Sequence, residues 1–176
     1  PGYTPVNPFE FLPYPWSHSL LMPFAWAVGS ALVYYAVRGA RAGAFWVGAA
    51  VTSHWVLDFA SHTPDMPLYP GGDERLGLGL WQSVPATFAV EGLMFAAAVV
   101  LYARVTRAKD RTGTIAWWAL VGTLLALYVP GPWSPPPPGV GTVAVMGLAA
   151  AAIFLPWSYW VDRHREPVSR PLLATL

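Results

Sequence analysis

Long apolar runs, separated by short polar or proline-rich connections, set the pattern of this sequence. They cover Ser19–Val37, Ala44–Ala60, Val84–Val105, Ile115–Val129 and Val140–Val161. A helix crosses a bilayer core with about 17–25 predominantly apolar residues. The first, third and fifth runs meet that length. The second is short and carries His54 and Asp58. The fourth stops at Pro130, before Pro132-Trp133-Ser134 and the proline run 135–138. Both are read as spans, because the connections on either side of each differ sharply in charge. The pattern predicts an all-α, polytopic membrane helix bundle of about five transmembrane helices. Residues 1–16 are expected as an extramembrane segment rich in proline and aromatics, 17–161 as the bundle and 162–176 as a cytoplasmic tail.

Charge orients that bundle. Arg38–Gly43 holds Arg38 and Arg41 and no acid, and Arg104–Arg111 holds four basic residues against Asp110 alone. The stretch after the fifth run holds Arg163, Arg165 and Arg170. By contrast, His62–Trp81 carries Asp65, Asp73 and Glu74 against Arg75, and Pro130–Gly139 carries no charge. Basic loops stay cytoplasmic, so the alternation predicts the N-terminus outside and the C-terminus inside. Trp16, Trp81 and Trp133 then fall at outer ends, and Trp46, Trp117, Trp118 and Trp160 near inner ends, where the interface suits an indole.

Composition narrows the classes. Only 11% of the residues are charged and 55% are hydrophobic, against roughly 25% charged in soluble domains. That argues against both a soluble globular chain and a disordered one. A net charge of +1 removes the basic footprint of a nucleic-acid binder. With no cysteine, disulfides, iron–sulfur clusters and thiolate zinc sites are excluded. Gly71-Gly72, Gly77 and Gly79 lack a strand–loop–helix context and read as turn formers. No G-x-S-x-G elbow supports a serine hydrolase, and no inverted repeat supports a transporter.

The chemistry concentrates in a few polar residues at the predicted outer face. Asp58 and Glu91 are the acids within the apolar runs, where an ionisable group at mid-helix costs about 2.5–3.5 kcal/mol on insertion scales. His54, Asp58 and His62 are spaced i, i+4, i+8 and fan over roughly 80° of one helical face. His62 falls where that helix leaves the membrane, with Asp58 about 6 Å and His54 about 12 Å deeper. Glu91 comes to a similar depth as His54, and His18 opens the first run. Imidazole and carboxylate suit zinc, manganese or iron. The set His18, His54, Asp58, His62, Asp65 and Glu91 therefore reads as a divalent-metal site. It equally reads as a structural network in which His54–Asp58 is a hydrogen-bonded pair and Glu91 is neutral or paired with Arg75.

The strings Pro15-Trp16-Ser17-His18-Ser19-Leu20-Leu21, Ser53-His54-Trp55-Val56-Leu57-Asp58 and His62-Thr63-Pro64-Asp65-Met66-Pro67-Leu68-Tyr69-Pro70-Gly71-Gly72 resemble a bacterial inner-membrane family described as membrane-bound metal-dependent hydrolases. Gly77–Ser83 and Pro156–Arg165 are similar to one branch of it. Members of that family typically begin with a further hydrophobic portion carrying Gly-His and then Pro-Asp or Asp-Leu, and this sequence shows no counterpart to it. The resemblance implies a multi-pass protein of the bacterial inner membrane with a divalent-metal site and hydrolytic activity on an unidentified substrate. Within it, His18, His54 and Asp58 would bind the metal, with His62 or Asp65 as a further ligand or support. Glu91 would be the catalytic base or would orient a ligand histidine. The alternative is a non-catalytic accessory subunit that packs its aromatic-rich helices against other membrane subunits, as in an energy-transducing complex. Membrane lipid is the partner common to both.

Overall fold

The computed structural model describes residues 4–7 and 15–168. Most of the expected segment 1–16 and Arg170 of the tail lie outside the described residues. Among the described residues the chain is mostly helical. It forms α1 (Pro15–His18), α2 (Leu21–Arg38), α3 (Arg41–Ser61), α4 (Val84–Val105), α5 (Arg111–Tyr128) and α6 (Val140–Arg163), with two short strands, β1 (Thr106–Ala108) and β2 (Arg165–Pro167). Three segments are long and apolar enough to cross a membrane: Val84–Val105, Arg111–Trp133 and Val140–Arg163. None of the apolar stretch of α6 is buried within the protein. A helix that is apolar all round needs an apolar medium or partner on every side, which suits these three to a membrane. The chain divides into two compact units, Pro1–Thr87 and Phe88–Leu176.

In the first unit α2 and α3 form a helical hairpin. α2 ends on Gly39, whose φ of 65° places it in the left-handed region, and its N–H reaches Tyr35 O at 2.7 Å. That is a common helix stop, and α3 begins two residues on. Ala27 and Ala44 are buried, their small side chains letting the backbones approach. The loop after α3 folds back on itself through an antiparallel bridge between Met66 and Leu76, and Met66 is almost wholly buried. The loop then satisfies backbone groups that helix ends leave open. Pro67 O and Leu68 O accept from Leu20 N and Leu21 N at the start of α2, at 3.2 and 3.0 Å. Leu78 N donates to Phe59 O, near the end of α3, at 2.8 Å. One loop thus fastens the start of α2 to the end of α3.

In the second unit α5 and α6 pack through Ala116, Leu120 and Val161, flanked by Trp117, Leu124, Phe154 and Trp157. α5 starts at Arg111, earlier than the apolar run that begins at Ile115, because Asp110 caps it: the side chain accepts from Gly113 N at 2.7 Å. The charged connection before α5 pairs with the residues after α6, as β1 against β2 in the register Thr106–Pro167, Arg107–Glu166, Ala108–Arg165. Arg165 is buried there. It donates to Thr106 Oγ1 at 2.8 Å and Thr106 O at 3.1 Å, and lies over the rings of Tyr102 and Trp117.

Candidate metal centre

His18, His54, Asp58, His62 and Asp65 gather in the first unit. Asp58 is the hub. Its Oδ2 lies 3.1 Å from His54 Nε2 and 3.6 Å from His18 Nε2. Yet that oxygen is shielded from solvent and receives no hydrogen bond. A shielded carboxylate oxygen without a donor is costly, and a protonated imidazole of His18 or His54 or a bound cation would relieve it.

One ligand atom each from His18, Asp58 and His62 lies within 4.8 Å of the other two. Donors held at about 2.0–2.2 Å from one ion stand at most about twice that far apart, so a side-chain movement of about an ångström closes the group on an ion. His54 lies beside Asp58 and is the most open of the set, with 56% of its side chain exposed against 15% for Asp58 and 3% for His62. Its ring meets that of His18 edge-on at 5.6 Å between centroids, and the His18 and His62 rings are 5.5 Å apart.

Two supporting contacts prepare the imidazoles as ligands. His62 Nδ1 lies 3.1 Å from Asp65 Oδ1, and Thr63 Oγ1 donates to Asp65 Oδ2 at 3.4 Å. His18 Nδ1 lies 2.8 Å from Ser17 Oγ. A proton assigned to each Nδ1 makes each Nε2 the basic nitrogen, the arrangement by which carboxylates and hydroxyls orient metal-binding histidines. Burial holds the His18 imidazolium below its ordinary value. Asp58 opposes that effect, while His62 and His54 add to it. The balance favours the neutral, ligating form.

The local fold explains the meeting. His62 closes α3, two turns after His54, and its ring lies tilted against Trp81 at 4.8 Å between centroids. His18 closes α1, and Ser19 follows it, wholly buried, with Oγ donating to Pro15 O at 2.6 Å and accepting from Met22 N at 3.4 Å. The loop bonds to Leu20 and Leu21 bring that turn onto the His62 end of α3. Gly79 N donates to His62 O at 2.7 Å. Gly77, at φ 154°, lies so close that a Cβ there would stand 2.5 Å from His62 O and against Thr63 O.

Ser17, Thr63, Trp81 and Gly77 were not among the site residues read from the sequence. Ser17 stood in the string around His18 and Gly77 read as a turn former, and neither signal names a partner. Glu91 belongs to the second unit. There it accepts a hydrogen bond from the Tyr128 hydroxyl at 2.6 Å, between α4 and α5.

The arrangement can hold a divalent ion on two imidazoles and one carboxylate, a donor set suited to zinc, manganese or iron. No protein-family model, curated protein or solved structure matches the chain.

Proposed function

We propose that this is a multi-pass membrane protein that binds a divalent metal ion through His18, Asp58 and His62 and uses it for hydrolysis. The observation that carries the reading is the convergence of three ligand atoms within 4.8 Å around a carboxylate oxygen that is shielded and without a hydrogen bond. Three nitrogen and oxygen ligands leave a coordination position open, the arrangement of catalytic rather than structural sites. An ion bound there supplies Lewis-acid activation of water or of a substrate oxygen. Asp65 and Ser17 hold the two ligand rings. His54, open on one side and with Nε2 beside Asp58, is placed to take or return a proton at that atom. The hydrolytic part of the reading is supported by the resemblance of the His18, His54–Asp58 and His62–Asp65 strings to the inner-membrane hydrolase family.

In this reading α2 and α3 are spans like the three longer helices, giving five crossings. The alternation of basic and non-basic connections supports an outer N-terminus and a cytoplasmic C-terminus in a bacterial inner membrane. The metal site then faces outward, within reach of lipid headgroups.

The test is metal content. The purified full chain, equilibrated with zinc or manganese at neutral pH and freed of excess, is expected to retain about one ion per chain. Asp58→Asn and His62→Ala each lower the affinity by at least about tenfold, since each removes a ligand. Metal-dependent cleavage of a chromogenic phosphoester or carboxylic ester, lost in Asp58→Asn, tests the hydrolytic part. Wild-type protein that takes up no metal would leave the accessory-subunit reading in its place.

A further inference from the structure

The metal centre stands at the head of an apolar groove on the α2–α3 hairpin. The groove, about 740 Å³ in volume, is lined on α2 by Trp26, Gly29, Ser30, Val33 and Val37 and on α3 by Val47. Arg38 lies at the end away from the metal centre. Val47, His54 and Asp58 are spaced i, i+7, i+11, so His54 and Asp58 each fall within about 20° of the line through Val47 along α3. Groove and metal centre therefore share one face of the hairpin. A second groove, which includes Leu32 and Thr52, lies on the other face, with Thr52 turned about 120° from Asp58. At the head of the first groove the Trp26 indole N–H donates to Trp16 O at 2.9 Å. That bond ties the groove wall to α1, the helix that ends at His18. Trp26 and Val33 are more than half exposed, so the groove is open along its side.

We propose that this groove holds the hydrocarbon chain of a lipid ester while the ester group lies at the metal centre. This rests on the hydrolytic role of the metal centre and adds its substrate class. In the reaction the oxygen of water bonds to the carbonyl carbon or phosphorus and the bond to the leaving oxygen breaks. That oxygen takes the proton that water loses. The length of the groove fits such a chain. A Cβ on Gly48 would stand 3.5 Å from Ala27 O and Ala31 Cβ, so Gly48 faces α2 at the level of Gly29. Gly48 is ten residues from Asp58, about 15 Å along α3, half of a hydrocarbon core about 30 Å thick. A chain that starts at the metal centre and runs the depth of one leaflet thus ends beside Gly29. A Cβ on Gly29 meets nothing within 4 Å, so the missing side chain leaves room there. A seated chain also fixes the ester against the ion, where a small misplacement is costly in rate.

The experiment uses the detergent-solubilised, metal-loaded full chain. The probes are 4-nitrophenyl butyrate and palmitate, and the ethyl and hexadecyl 4-nitrophenyl phosphodiesters, all in the same micelles. Wild-type protein is expected to show the higher kcat/KM on the long-chain member of the pair it cleaves. Gly29→Leu should lower the long-to-short ratio by at least about tenfold, because a displaced chain misplaces the ester. Leucine in place of a mid-helix glycine favours the helix, so the fold is kept. Val33→Trp narrows the same groove and should also lower the ratio, whereas Leu32→Trp on the other face should leave it unchanged. Metal content is measured on every variant. Wild-type protein that holds no metal, or cleaves neither pair, would remove the hydrolytic role and this inference with it. With metal bound and cleavage seen, three results would each overturn the groove alone: no long-chain preference in wild type, an unchanged ratio in both groove variants, or an equal fall in Leu32→Trp.

Discussion

At the scale of the residue, two positions carry distinct expectations. Asp110 caps α5, and its carboxyl is held below its ordinary value first by the Gly113 N–H and then by His164. A depressed carboxyl pKa stabilises the folded chain fully above the unfolded value, and that contribution is lost as pH falls through the folded one. Acid unfolding of the second unit should therefore begin at a higher pH in Asp110→Ala than in the wild type. Asp110→Asn keeps the cap but loses this part of the pH dependence. Circular dichroism across the acid limb measures both. Gly77 is the other position. Any side chain there meets the His62 and Thr63 carbonyls in a backbone conformation that favours glycine. Gly77→Ala should cost roughly 1–3 kcal/mol and should weaken metal uptake, because the loop it displaces holds His62. Unaltered metal affinity in that variant would separate the loop from the site.

At the scale of the element, the five long helices were legible because each is built on one predominantly apolar run, and α1 and the helix ends were not. α5 begins at Arg111 and not Ile115, since hydropathy does not register a cap made by Asp110. α3 extends back to Arg41, ahead of the run from Ala44, with Gly43 of its first turn against the Tyr34 ring. The strand pair β1–β2 was invisible, because the three-residue segments Thr-Arg-Ala and Arg-Glu-Pro carry no period-two apolar signal, and their pairing depends on residues about 60 apart in sequence. The site divides the same way. The i, i+4, i+8 spacing of His54, Asp58 and His62 is local and could be read. The approach of His18 depends on backbone hydrogen bonds from Leu20 and Leu21 to Pro67 and Leu68, which side-chain identity does not encode. The α5–α6 packing gives the element-scale prediction. Leu120→Ala removes a side chain from a cluster that includes Val161 and Trp157 and should destabilise by roughly 2–3 kcal/mol, toward the low end for buried leucines. In a bilayer the loss is of packing contacts rather than of burial from water. Unfolding in mixed micelles measures it.

At the scale of the molecule, the question is which loops share a side of the membrane. The sequence argument rests on basic residues, and the structure changes what some of them are doing. Arg165 is buried over Tyr102 and Trp117, and Arg107 pairs with Glu166 at 2.7 Å. Lys109 donates to Arg163 O at 2.8 Å. These cations are built into the folded end of the second unit, and the expected orientation requires each to be kept from translocating while the chain is inserted. The positive-inside rule acts at that stage, so the expected orientation is unchanged by the later pairing. The chain has no cysteine of its own, which makes single-cysteine labelling clean. Ala42, Asp73, Arg111 and Ser134 are exposed and lie in or beside four successive connections. Cysteines at Asp73 and Ser134 should react with a membrane-impermeant maleimide added to intact cells with a permeabilised outer membrane. Cysteines at Ala42 and Arg111 should react only after the inner membrane is opened. Reaction of both sets from the same side would mean that none of α3, α4 and α5 crosses the membrane. Exchange of the two sets would invert the protein and turn the His18–Asp58–His62 site toward the cytoplasm.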